Sequence, residues 1–238
     1  MADVDFLVRP ESFVRIGKIL EELGFYTEDN AYGALERHEE AYFFDIGDGR
    51  RMLFEPHRHL FDPVRFPIDY TALWGRTVAS TLDGISCRRL AAEDNFVHIA
   101  VHSAVHRLQK LGRTLRDLEF VLRSVDTDLG LIVIRAREWR VTRIVWLMLV
   151  LLDASYPVLS LSEAASQLEP SRLPRFVLQC LVPKGEEHTR LIKLNHRVQA
   201  ALLWPWLFDS AGQTARIVNN HPRLRQIKKA ISSRSQRS

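Results

Sequence analysis

The chain has 238 residues, of which 46% are apolar and 26% charged. That is enough to bury a core in one domain or two small ones, and ordinary for a soluble globular protein. Two cysteines, Cys87 and Cys180, exclude a disulfide framework and a C-x-x-C metal site and suit a reduced, cytosolic compartment. No basic segment followed by a long apolar one opens the chain, and the longest apolar run, Ile144 to Leu152, is too short to span a bilayer as a helix. Neither a secretory signal nor a membrane partner is expected.

The charge is unevenly spread. The formal net charge is +4, from 33 bases and 29 acids. Beyond Asp209 there is no acid, but Arg216, Arg223, Arg225, Lys228, Lys229, Arg234 and Arg237 follow. Without those seven the remaining 26 bases face 29 acids, a balance of −3. Residues 210–238 therefore read as a basic, Ser-rich, frayed tail. Salt-dependent contact with nucleic acid is a weaker reading of the same segment.

In chain order, Val4 to Val8 reads as a strand. Pro10 and Glu11 suit the first turn of a helix and Gly24 the position past its end. Phe13, Ile16, Leu20 and Leu23 form its apolar stripe. Residues 35–46 read as a strand ending Tyr42-Phe43-Phe44-Asp45-Ile46. Gly47-Asp48-Gly49 is a turn, and Arg50 to Glu55 the return strand of a hairpin. Residues 56–75, with Pro56, Pro63 and Pro67, read as a loop-rich link ending near Trp74. A strand pair follows around Val78 and Ile85 to Arg88, turning at Asp83-Gly84. Helices are expected over 92–111, 114–124, 128–138, 140–154, 173–182 and 187–208, with Pro205 limiting the last. The fold class is α+β: a small mixed-sheet head, residues 1–90, followed by a mainly α-helical domain, residues 91–209, and the tail.

Asp3 and Asp5 lie two apart at the start of the first strand, so period-two alternation sends both carboxylates to one face. Adjacent carboxylates repel, and a cation or a shared proton relieves them. Oxygen ligands of this kind suit Mg²⁺. The plainer reading is a solvated, acidic strand start. His98, His102 and His106 fall at i, i+4 and i+8 on one helical face. They could form a zinc site, but the glutamate of H-E-x-x-H is missing and no third ligand type lies nearby; the alternatives are core or surface histidines, or a polar cleft lining. Arg116 and Asp117 sit on an apolar-rich helix, where an ion pair or a cap is the simplest role. No phosphate-binding G-x-x-x-x-G-K-[ST], no G-x-G-x-x-G after a strand and no G-x-S-x-G occurs. P-loop, dinucleotide-binding and α/β-hydrolase chemistry are thereby excluded.

Taken together, the run D-V-D-F-L-V-R-P of residues 3–10 and the helix ending L-G-F resemble the bacterial nucleotidyltransferase-like family of the polymerase-β superfamily. So does the strand Arg51-Met52-Leu53-Phe54-Glu55-Pro56-His57, which is similar to that family's acid-x-His strand. The segment from Leu90 through Glu93-Asp94 to His98 and His102 resembles its L-x-x-E-D…H-x-x-x-H helix, and Thr114-Leu115-Arg116-Asp117-Leu118 its L-R-x-x-D segment. The likeness covers roughly residues 1–155. It implies Asp3, Asp5 and Glu55 as metal-binding, catalytic acids holding Mg²⁺. It implies His57, His102, Arg116 and Asp117 as nucleotide-contacting residues, with Asp117 reaching His102 or a neighbouring arginine. The implied partners are a nucleoside triphosphate and an acceptor that the sequence does not select. The superfamily's Gly-containing phosphate loop, which precedes the acid pair, has no counterpart in the two residues before Asp3. Met1 therefore reads as an internal methionine of a longer native chain. The alternative is a catalytically inactive module of the same fold that binds a protein partner.

Overall fold

The alternating D-V-D-F-L segment forms the first strand of the computed structural model, which describes residues 2–28, 39–63, 65–106, 108, 110–124, 127–181 and 205–209. The chain divides into two units, Met1–Phe66 and Pro67–Ser238. The architecture is α+β, with a mixed sheet near the N-terminus and helices after it.

In the first unit, β1 (Ala2–Leu7) leads through a 3-10 turn, Pro10–Ser12, into α1 (Phe13–Glu22). Arg9 precedes the turn with extended backbone and Pro10 occupies its first position, where a missing N–H costs nothing. Gly24 takes φ +89° just past the helix, as the sequence predicts. β2 (Tyr42–Asp45) and β3 (Arg51–His57) form the hairpin. Its turn places Gly47, Asp48 and Gly49 all at positive φ. The sheet order is β1-β3-β2, with β3 parallel to β1 and antiparallel to β2. The strand expected over 35–46 is shorter than its sequence pattern: residues 35–38 lie outside the described residues, and Glu39 makes only an isolated bridge to His57.

Val4, Phe54 and Tyr42 lie side by side across the three strands. Tyr42 is buried, and a Cβ on Gly17 of α1 would collide with its hydroxyl. α1 therefore packs on this face, where Phe25, Phe44, Phe54 and Phe6 stack at centroid distances of 5.0–5.9 Å. One step along each strand, the neighbouring positions belong to the opposite face.

In the second unit, α2 (Tyr70–Arg76) occupies the segment expected to be loop. Asp69 caps it, its carboxylate accepting from Ala72 N–H at 3.0 Å. β4 (Val78–Leu82) and β5 (Ile85–Arg89) form an antiparallel ribbon turning at Asp83 and Gly84, both at positive φ. Then come α3 (Ala92–Val105), α4 (Leu111–Leu122), α5 (Leu129–Glu138) and α6 (Thr142–Ser155). A 3-10 turn, Pro157–Leu159, leads to α7 (Ser162–Gln167) and α8 (Arg172–Leu181). α3 ends six residues before the expected 111 because Leu108 adopts φ +57° and its N–H returns to Ser103 O at 2.8 Å. Arg140, at φ +55°, separates α5 from α6 in the same way.

The long apolar run lies in α6, where Ile144 to Leu149, Leu151 and Leu152 are buried. Phe96, Val97, Ala100 and Ala104 of α3, Leu115 and Leu118 of α4, and Ile132 and Ala136 of α5 are buried in the same unit. Trp139 and Trp146 are core, as their apolar surroundings imply. Among the described residues no helix is long and apolar enough to cross a membrane. The helix expected over 187–208 lies outside the described residues except for its end, and so does the basic tail, 210–238.

Candidate functional site

The parallel register sets Asp5 of β1 opposite Glu55 of β3, and Asp3 opposite Leu53. Since Tyr42, Phe54 and Val4 face α1, Asp5, Glu55 and His57 stand on the other face of the sheet. The side chain of Asp3 is not among those described. Asp5 is more than half exposed, whereas the His57 side chain is 16% exposed. The His57 ring lies between two carboxylates. Its Nε2 is 3.9 Å from Asp5 Oδ1, and its Nδ1 is 3.4 Å from Glu39 Oε2. The backbone holds the ring's base from both sides, because Val8 N–H donates to His57 O at 2.8 Å and Glu39 bridges it on the other edge.

Arg51 lies on the same strand face, four residues before Glu55. Its guanidinium donates to Glu28 Oε1 at 2.5 Å and lies 5.0 Å from the Phe43 ring centroid. The hydrogen bond to Glu28, with Tyr26 next in weight, raises its already high pKa. Arg51 is thus committed to the sheet's outer edge rather than offered to a phosphate.

The remaining sequence candidates belong to the second unit. His98, His102 and His106 descend one side of α3, with successive ring centroids 6.0 and 4.4 Å apart. Arg116 and Asp117 are exposed on α4. Asp117 pairs with Arg113 one turn away, at 3.8 Å, so the arginine it reaches is a neighbour on its own helix. Glu93 and Asp94 are both buried. Glu93 accepts from Asp128 N–H at 2.9 Å, tying α3 to the start of α5. Asp94 accepts two 2.8 Å hydrogen bonds from Arg76 and lies 3.8 Å from Arg135 Nε. That hydrogen bonding raises the Arg76 pKa further. The E-D pair of the motif therefore ties α2, α3 and α5 together.

Among the described residues no three His, Cys, Asp or Glu side chains cluster as a metal centre requires. The acid face carries the carboxylates of Asp5 and Glu55 and the His57 imidazole, with Glu39 beside the ring. Asp5 and Glu55, being oxygen donors, are the residues of this face chemically suited to a hard divalent cation such as Mg²⁺.

A family model described as "Uncharacterised nucleotidyltransferase" matches residues 1–157. The chain belongs to this nucleotidyltransferase family. No curated protein and no solved structure matches it. The matched segment takes in the five described strands and α1 to α6. Sequence reasoning missed Glu39, Arg76, Arg135 and Asp209. Arg76 and Arg135 carry no local signal, since each meets Asp94 only through the fold. Glu39 was visible only as a residue of the expected strand 35–46, three residues before its aromatic run.

Proposed function

We propose that this nucleotidyltransferase-family protein transfers a nucleoside monophosphate from a nucleoside triphosphate to an acceptor hydroxyl, using the acid face of the β1-β3-β2 sheet. Family membership supports nucleotidyl transfer as the reaction class. The single observation that carries the location is Asp5 standing opposite Glu55 in parallel register, on the face away from α1. Asp3, Asp5 and Glu55 are the residues that would hold Mg²⁺. When bound, that ion would neutralise triphosphate charge and lower the pKa of the acceptor hydroxyl.

The chain's own groups supply the rest. The acceptor oxygen attacks the α-phosphorus in line, one O–P bond forms, and the bond to the departing pyrophosphate breaks. Glu55 or Asp5 accepts the hydroxyl proton, for which a carboxylate within hydrogen-bond reach suffices. Positioning and electrostatics carry such a transfer more than covalent chemistry does. His57, 3.9 Å from Asp5, would contact the nucleotide. His102, Arg116 and Asp117 keep their nucleotide-contacting role on motif grounds alone.

The test is calorimetric binding of a mixture of the four ribonucleoside triphosphates with MgCl₂ to the wild-type protein and to Asp5→Asn. The wild type should bind, and Asp5→Asn, with an unchanged or higher melting temperature, should bind at least about tenfold more weakly. Equal binding by the two folded proteins, or none by the wild type, overturns the reading.

A further inference from the structure

We propose that β5 is an association edge on which a second copy of this chain pairs, antiparallel and about a two-fold axis at Cys87, independently of any catalytic role. The β4-β5 ribbon is a two-stranded sheet of its own within the second unit. All five residues of β5 are exposed, whereas Val78 and Ser80 of β4 are partly covered. Leu82 and Ile85, which flank the turn, are 67% and 72% exposed. A lone two-stranded ribbon is marginal in water, and three or more strands with a hydrophobic face are stable. Exposed edges are commonly guarded by a proline, a bulge or charges. β5 has no proline, and its register with β4 runs unbroken from Arg89 on Val78 to Ile85 on Leu82. The Arg88 guanidinium is turned back onto Thr77, donating to its hydroxyl at 2.6 Å and to its carbonyl.

The phase of the ribbon says which groups the edge offers. Asp83 and Gly84 both take positive φ, as a two-residue type I′ turn requires. A hydrogen-bonded pair closes such a turn, here Leu82 with Ile85, and bonded and non-bonded pairs alternate from there. Cys87 and Arg89 therefore bond inward to Ser80 and Val78, while Ser86 and Arg88 turn their backbone N–H and C=O outward. Among the described residues no backbone bond from another segment reaches either of them. Two-fold pairing through outward groups leaves three registers. Arg88 on Arg88 sets like charges opposite each other, which is unfavourable. Ser86 on Ser86 runs Arg88 into the partner's turn at Gly84. Ser86 on Arg88 forms two bonded pairs, hence four hydrogen bonds. That register sets Arg89 opposite the partner's Ile85, two residues from the partner's exposed Asp83, so a base meets an acid on the diagonal. Cys87 then faces its own copy in a non-bonded position, where Cα atoms lie about 4.5 Å apart. The joined sheet has four strands and gathers both copies of Leu82, Ile85 and Cys87 on one face.

The experiment is sedimentation velocity of the full chain over a dilution series, for the wild type and for Ser86→Pro, together with diamide oxidation in a Cys180→Ser background. A strand pair of this size buries less than a standard interface, so the wild type should pass from dimer to monomer on dilution. The nitrogen of residue 86 makes no bond within the ribbon, so a proline there leaves the ribbon's own ladder intact. Ser86→Pro should weaken the dimer at least about tenfold, because each copy loses one donor. Diamide should join the dimer through Cys87, since thiols facing each other at that spacing meet disulfide geometry. Moving the thiol one residue, by Ser86→Cys with Cys87→Ser, should abolish the cross-link, because the two 86 positions lie more than about 7 Å apart. A wild type that is monomeric throughout the series overturns the proposal and leaves the edge to a strand of another protein. A dimer that a folded Ser86→Pro keeps undiminished overturns it too. So does a cross-link that forms at residue 86 as readily as at Cys87, and this comparison decides alone if Ser86→Pro fails to fold.

Discussion

Asp5 and Glu55 are direct partners across a parallel ladder, joined by backbone pairing from strands 50 residues apart in sequence. Like charges held opposite each other destabilise a sheet, by a few tenths of a kcal/mol to about 1 kcal/mol. The proposed Mg²⁺ site would relieve that repulsion. Without divalent ions, Asp5→Asn and Glu55→Gln should each stabilise the fold by about 0.5 kcal/mol. The double variant should gain little more than either, because one substitution already removes the repulsion. MgCl₂ should raise the wild-type melting temperature and leave the double variant where it was. An equal Mg²⁺ response in both proteins would sink the idea that these carboxylates hold the ion.

Asp94, in the L-x-x-E-D segment, has a structural part. It is 1% exposed and receives a two-pronged hydrogen bond from Arg76. Removing one partner of such a pair strands the other charge, at a cost of about 3 kcal/mol. Asp94→Ala should show that loss in urea denaturation. Arg76→Lys should lose most of the same amount, because an ammonium cannot reproduce the fork. Nucleoside triphosphate binding by the fraction still folded should be unchanged. A loss below about 1 kcal/mol for Asp94→Ala would mean that the pair is replaceable by solvent.

The turns were the most legible features, and the physical reason is φ. Gly47, Asp48, Gly49, Asp83 and Gly84 all take positive values, and the residue types that tolerate them stand out in sequence. Leu108 and Arg140 take positive φ too, yet nothing about a leucine or an arginine announces it, so the end of α3 was misplaced. α2 was hidden behind Pro63 and Pro67, although Asp69 is a good cap. α7, at six residues, is too short to show a period. The pairing of Asp5 with Glu55 followed from the hairpin reading, which set the Glu55 strand beside the first one, while their metal-binding role came from the family resemblance alone. The Asp94–Arg76 pair spans 18 residues and follows no helical or strand period, so only the fold reveals it.

The Tyr42 hydroxyl offers a pH test of the first unit. Burial raises its pKa from the ordinary value of 10.0, and the charges and hydrogen bond of Glu40 push the same way. Below pH 10 the phenol is neutral in both folded and unfolded chains. As pH rises past 10 the unfolded chain releases this proton while the folded one keeps it, so stability falls. Tyr42→Phe should flatten that alkaline decline while losing the 3.2 Å hydrogen bond to Glu40, worth about 1 kcal/mol at neutral pH. Gly17→Ala should cost about 1–3 kcal/mol, because its methyl meets the buried Tyr42 hydroxyl. An alkaline decline of equal slope in Tyr42→Phe would assign it to other groups.

α6 begins at Thr142 with Val141 before it, a residue that cannot cap. Its first N–H groups are satisfied instead by Asp209, 67 residues later, whose carboxylate accepts from Thr142 N–H at 2.8 Å and Arg143 N–H at 3.0 Å. Arg143 returns the contact by donating to Phe208 O at 2.8 Å. A carboxylate at a helix start satisfies orphan donors and complements the dipole. The most buried helix of the second unit thus depends at its start on a residue near the end of the described chain. Asp209→Ala should destabilise by about 1–2 kcal/mol. Asp209→Asn keeps one acceptor oxygen and should lose less than half of that. Chemical denaturation of the three proteins measures it. If Asp209→Ala matched the wild type within about 0.3 kcal/mol, water would be serving those N–H groups equally well, and the long-range cap would have no energetic role.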